Sequence, residues 1–181
     1  MPQVITHQQV LHLLQAIKSP AHRTCFAIMY ACGLRITEAQ TLTIKNIDSQ
    51  QGILRIIGKG NKERVVPLPA SMLANLRALW LLHRNPLLIF PNQQGDRPIT
   101  TCILYRTFQD AKLKAGLPDN VTPHTLRHCY ATRLMENKVD IRVVQILLGH
   151  ASIQSTTIYT HLTEPTGQAL RGVLDRVMAD L

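Results

Sequence analysis

Acidic residues are scarce in this chain, and several signatures that would narrow its function quickly are missing. Only 11 Asp and Glu stand against 20 Lys and Arg among 181 residues, and they form no carboxylate cluster of the kind that holds Mg²⁺. Cysteine is sparse too. Cys25, Cys32, Cys102 and Cys129 make no CxxC pair and no zinc-type spacing, which leaves out a redox motif and a zinc site. Cys25 and Cys32 fall within an apolar helical run, where free cysteines act as small buried hydrophobes; a reduced, cytoplasmic protein is expected. The N-terminus shows no signal peptide, and the longest apolar stretches are broken by charge, as at His83 and Arg84. No membrane span is expected. Internal repeats, low-complexity tracts and a second-domain linker are also missing.

What is present is a globular, basic chain. Apolar residues make up 45% of it, enough for a packed core rather than disorder. At this length a single domain over residues 1–181 is expected. The formal net charge of +9 and the sequence pI near 9.8 point to a polyanionic partner. Nucleic acid comes first, because each neutralised phosphate releases condensed counterions.

Hydrophobic spacing and chain punctuation place the elements. Val10, Leu11, Leu13, Leu14 and Ile17 follow Thr6 in a helical pattern that Pro20 ends. A second helix runs from about Ala21 to Cys32 and stops at Gly33. A short one begins near Thr37, with Glu38 in its first turn. Ile53 to Ile57 and Arg64 to Leu68 are β-branched runs on either side of Gly58 to Lys62, which predicts a hairpin. Helix returns from Pro69 and again from Thr100 to Ala115, separated by a loop region containing Pro86, Pro91, Gly95 and Pro98. Thr122-Pro123 opens a helix running to about Met135, and Ile141 to Leu148 form another that ends at Gly149. Ser152 caps a short helix leading to Tyr159, and the tail from Thr163 carries the apolar stripe Leu170, Val173, Leu174 and Val177. The expected class is mainly α with a small antiparallel β-sheet (α+β).

Five polar sites are weak singly and informative together. Arg35 follows a helix-ending glycine, and Lys59 sits in a Gly-Lys-Gly hairpin tip. His124 and Arg127 are three apart at a helix start, so they are expected to share one face beside free backbone N–H groups. His150 lies just past a helix end, and Tyr159 follows. These residue types are what a phosphodiester transesterification needs. Two arginines clamp the charged non-bridging oxygens and a histidine adds a hydrogen bond. A tyrosine attacks once a base or cationic field offsets its ordinary pKa of about 10. A lysine protonates the departing 5′ hydroxyl. Such a clamp needs no metal.

The segments Ala31-Cys-Gly-Leu-Arg35-Ile-Thr-Glu38, Gly58-Lys59-Gly-Asn-Lys-Glu-Arg64, Pro123-His124-Thr-Leu-Arg127-His128 and Leu147-Leu-Gly-His150 with Tyr159-Thr-His161 closely resemble the tyrosine recombinases (the phage integrase family, including the Xer and integron integrases). They occur in the family's order and span nearly the whole chain. The resemblance implies that Arg35 and Arg127 bind the phosphate and that Lys59 is the general acid, with Lys62 a nearby rival. It implies that His124 acts as base or phosphate contact and His150 as a hydrogen-bond donor to the phosphate. Tyr159 becomes the nucleophile, and Glu38 orients the active-site arginine and histidine. His128 and His161 read as structural. No cofactor is implied.

By the same resemblance the partner is double-stranded DNA, recombined by a homo-tetramer on two DNA sites through a 3′-phosphotyrosine intermediate. The tail, 163–181, resembles a segment that docks on a neighbouring subunit, and its stripe would equally fold back on its own domain. The N-terminal helical domain that most members carry reads as absent, through truncation or by nature, so weak and strongly salt-dependent DNA binding is expected. Two alternatives stand beside recombination: strand nicking and closing of the type IB topoisomerase kind, and a non-catalytic regulator, since Ile141 to Tyr159 superficially resembles a helix-turn-helix.

Overall fold

Caps and prolines decide where the helices begin in the computed structural model, which describes residues 4–58, 60–149 and 164–181. Helix α1 (His7–Gln15) opens on a capping box: Gln9 N–H donates to Thr6 Oγ1 at 3.2 Å, and Thr6 N–H donates to Gln9 Oε1 at 2.8 Å. Pro20 ends the preceding apolar pattern and also occupies the first position of α2 (Pro20–Cys32), where its missing N–H costs nothing. Every residue of α2 from Cys25 to Cys32 is buried. A helix without a polar side belongs in the middle of a domain, and α2 packs against α1, α3, α4 and α6. Cys25 and Cys32 are free thiols in the core, as anticipated, and burial pushes both thiol pKa values up.

Gly33 ends α2 at φ +65°, and α3 (Ile36–Gln40) follows after two residues. A single 3₁₀ turn, Ile44–Asn46, then leads into the sheet of β1 (Ile47–Asp48), β2 (Ile53–Ile57) and β3 (Glu63–Pro67), antiparallel in the order β1-β2-β3. The anticipated hairpin is β2–β3, in register from Ile53 opposite Pro67 to Ile57 opposite Glu63. Strand β1 went unanticipated, because two residues are too short to show alternation. The remaining helices are α4 (Ala70–His83), α5 (Thr101–Lys114), α6 (Pro123–Glu136), α7 (Ile141–Leu148) and α8 (Glu164–Val177). Their order agrees with the mainly α class and its small antiparallel sheet. Among the described residues no helix is long and apolar enough to cross a membrane. The Ser152-capped helix, Lys59, His150, Tyr159 and His161 lie outside the described residues.

In this structure the tail folds back on its own domain. Leu170, Leu174, Val177 and Met178 are buried in the main core. Polar bonds hold the edges of that contact: Asp175 Oδ1 accepts from Ala70 N–H at 2.9 Å, and Arg133 Nη2 donates to the Val177 carbonyl at 2.8 Å. The two ends of the chain meet where His7 bonds both Tyr30 Oη, at 2.8 Å, and the Asp180 carboxylate, at 2.7 Å.

Candidate functional site

One carboxylate gathers three guanidinium groups from three parts of the sequence. Glu38 sits in the first turn of α3 with a side chain 7% exposed. Its Oε1 accepts from Arg64 Nη1 at 2.7 Å and from Arg35 Nη1 at 3.1 Å. Its Oε2 accepts from Arg64 Nη2 at 2.7 Å and from the Arg35 backbone N–H at 2.8 Å, and Arg127 Nη1 lies 4.0 Å away. Burial alone would raise the Glu38 pKa. The fork of hydrogen bonds from Arg64, with the charges of Arg64 and Arg35, outweighs it and holds the carboxyl at about 2.

Arg127 projects from the second turn of α6 into the interior, with a side chain 2% exposed. Its Nη1 donates to the Gly33 carbonyl at 2.6 Å, and its Nη2 donates to the Leu148 carbonyl. This one side chain therefore ties the C-terminal end of α2 to the C-terminal end of α7, satisfying carbonyls that helices leave open. Burial, with the like charges of Arg35 and Arg64, lowers its pKa to about 10, partly offset by Glu38. It stays cationic near neutral pH. The three elements come this close because position 33 carries no side chain: a Cβ there would stand 2.5 Å from Tyr130 Cδ1 and 3.1 Å from Leu148 Cδ2.

The structure brings Arg35, Glu38 and Arg127 together as the sequence suggested, but it separates their environments. Arg35 keeps 41% of its side chain exposed, whereas Arg127 faces inward. Nor do His124 and Arg127 share one environment. His124 is exposed at the second position of α6, its ring edge-to-face with His128 at 4.6 Å between centroids. A spacing of three puts two Cα–Cβ bonds on neighbouring sides of a helix, and long side chains then follow their own partners. At this helix start Thr122 N–H donates to Thr125 Oγ1 at 3.0 Å, a bond from the cap residue's backbone and not to its hydroxyl.

Sequence reasoning passed over Arg64. It is 3% exposed, forks onto Glu38 and also donates through Nε to the Leu147 carbonyl at 2.9 Å. The sheet's register, not an alternating pattern in the sequence, puts it inside. Arg64 lies opposite Ile56 and two residues before Val66, which lies opposite Leu54, so it occupies the core-facing row.

Three cations around one carboxylate leave a positive excess, and the exposed Arg35 guanidinium presents planar paired donors to solvent. Such an arrangement fits a tetrahedral anion such as a phosphate diester. Among the described residues no three His, Cys, Asp or Glu side chains gather as a metal site.

Comparison with known proteins agrees with the geometry. Residues 3–165 match the model described as the phage integrase family. The chain is 37% identical over 182 residues to the tyrosine recombinase XerD of Pseudomonas putida, covering 94% of this chain and 61% of that protein. It is 38% identical over 175 residues to the tyrosine recombinase XerC of Chlamydia muridarum, covering 90% and 55% respectively. The chain thus spans little more than half the length of these curated relatives. Among solved structures, the XerA recombinase superposes with a TM-score of 0.74 at 28% identity, over 95% of this chain and 63% of that one. The XerH site-specific recombinase bound to its difH substrate, a pre-cleavage complex, superposes with a TM-score of 0.74 at 29% identity, over 93% and 53%. From its motifs, its fold and these relatives alike, the chain belongs to the phage integrase family of tyrosine recombinases.

Proposed function

We propose that this chain is the catalytic part of a site-specific DNA recombinase, working on double-stranded DNA and on that account located in the cytoplasm. The observation that carries the reading is the Glu38-centred group of Arg35, Arg64 and Arg127, a built cationic site short of negative charge. In the reading's mechanism Arg35 and Arg127 bind the non-bridging oxygens of one phosphate. The Tyr159 oxygen attacks phosphorus as its proton passes to a base, with His124 the candidate. The bond from phosphorus to the 5′ oxygen breaks, and Lys59 delivers a proton to that oxygen. His150 donates to the phosphate throughout. The phosphodiester energy is kept in the tyrosine–phosphate bond, so no ATP is required. A 5′ hydroxyl from a second duplex reverses the step, and a homo-tetramer on two DNA sites would pair the strands, with the tail helix able to dock on a neighbouring subunit.

The test is a suicide duplex, nicked beside the scissile phosphate so that the released fragment diffuses away. Substrates would come from DNA flanking the gene and from a randomised pool. A covalent protein–DNA adduct on a denaturing gel, formed in EDTA, supports the reading. Binding without adduct on every substrate counts against it, and relaxation of supercoiled plasmid without recombinants would favour the nicking and closing activity.

The surplus of 20 basic over 11 acidic residues also sets the salt response. If the domain neutralises roughly six phosphates, affinity should drop by about 10³-fold between roughly 50 and 200 mM salt. Titration of labelled duplex at several salt concentrations measures the slope, and a flat line would show that charge neutralisation does not drive binding.

A further inference from the structure

We propose that Arg64 is a positioning residue for the phosphate-binding arginines, setting Arg35 through Glu38 and holding the last turn of α7 through the Leu147 carbonyl. The inference rests on the recombinase reading of the same site.

Its position makes the case. Arg64 is the second residue of β3 and lies in the core-facing row of the sheet, across from Ile56 and beside Val66, which are 3% and 0% exposed. An apolar side chain is the ordinary occupant of such a place. A buried guanidinium loses its hydration, and well-packed apolar residues of similar volume commonly stabilise as well or better than a buried ion pair. Stability alone therefore gives little reason for arginine here. Geometry gives one. Only a planar fork can meet both carboxylate oxygens, each at 2.7 Å, while its Nε reaches a third acceptor at 2.9 Å.

The consequence falls on Arg35. Glu38 Oε1 is shared between Arg64 Nη1 and Arg35 Nη1, and Oε2 between Arg64 Nη2 and the Arg35 backbone N–H. With the carboxylate plane fixed by Arg64, both the backbone and the guanidinium of Arg35 are aimed from one rigid anchor. Arg64 and Arg127 also cap adjacent carbonyls, Leu147 and Leu148, in the final turn of α7. Gly149 belongs to the same arrangement: a Cβ there would stand 3.1 Å from Arg64 Cδ, and its φ is +68°. Two elements of the site, α3 and α7, are thereby referred to one side chain of the sheet.

The experiment uses the full 181-residue chain and the suicide duplex on which the wild type forms its adduct. Arg64→Lys keeps the charge and loses the fork. Arg64→Met keeps the volume without a charge. Both should lower the single-turnover cleavage rate by about 10- to 100-fold. Affinity for the duplex should stay within about threefold, because a residue this buried offers little to the phosphate backbone. In an Arg35→Ala background the Arg64→Lys change should cost less than about threefold more, since the group it positions is gone. Full additivity of the two losses overturns the proposal. So does a folded Arg64→Lys or Arg64→Met variant, checked by thermal melting, that cleaves within about threefold of wild type. Should neither variant fold, Arg64 is a stability element and the positioning role is likewise overturned. A wild type that forms no adduct would instead sink the recombinase reading, before any variant is compared.

Discussion

Replacing Tyr159 with Phe should abolish the covalent adduct while leaving DNA binding intact. The chain has four tyrosines, and the structure disqualifies two as nucleophiles. Tyr30 and Tyr130 are fully buried. Burial also pushes the Tyr30 hydroxyl pKa up, and its oxygen is engaged by His7. Tyr105 is 43% exposed on α5, where it stands as a solvent-facing residue of an ordinary surface helix. Tyr159 is left as the residue whose sequence context resembles the family nucleophile. Removing a nucleophile while the rest of a site persists lowers the rate by about 10⁶-fold in a comparable covalent mechanism. On a denaturing gel that loss is complete. Binding should change by less than about twofold, since one hydroxyl adds little to a contact dominated by phosphate charge. Tyr105→Phe is the control and should retain the adduct; an adduct that survives in Tyr159→Phe and disappears in Tyr105→Phe would move the nucleophile to α5.

Much of the scaffold around that chemistry was legible because it is local. The helix opening at Thr6, the break at Pro20, and the glycine ends at Gly33 and Gly149 each depend on residues within one turn, so the chain announces them directly. The β2–β3 hairpin was equally readable from two β-branched runs around a glycine-rich turn. What was not legible is the set of contacts made across the chain. Arg64 meets Glu38 across 26 residues and Leu147 across 83, and nothing in periodicity marks such a pairing. A charged residue at the end of a strand reads as a solvated edge until the sheet's register puts it on the inner row. Arg127 shows the same limit: its spacing from His124 is a local fact, but its destination between the Gly33 and Leu148 carbonyls depends on where α2 and α7 end. The apolar stripe of α8 was visible, and its surface was not. Only the packed structure shows Leu170, Leu174 and Val177 seated in the chain's own core.

Removing the Glu38 charge should destabilise the fold strongly, and the loss should disappear in acid. In the wild type the carboxylate answers Arg64 and lies near Arg127, whose side chains are 4% and 2% exposed. Glu38→Gln leaves those guanidiniums without their counter-charge, and its amide sets an N–H donor against the donors of the Arg64 fork. Breaking a buried ion pair on one side typically costs about 3–5 kcal/mol. The depressed pKa gives a similar figure, since a fall from 4.5 to about 2 corresponds to roughly 3 kcal/mol. For a carboxyl lowered in the folded state, that stabilisation is fully present above pH 4.5. It declines as the pH falls and is lost once the pH passes below about 2. Urea unfolding of both proteins at pH 7, 4, 3 and about 2 isolates the effect, because every other carboxyl is common to the two. The stability gap should be widest at pH 7 and should close towards pH 2. A gap that stays constant with pH would mean that shape, not charge, accounts for the loss, and Glu38 would then be no electrostatic anchor for the arginines. The same variant should also cleave more slowly, since the exposed Arg35 guanidinium loses the carboxylate oxygen that holds it at 3.1 Å.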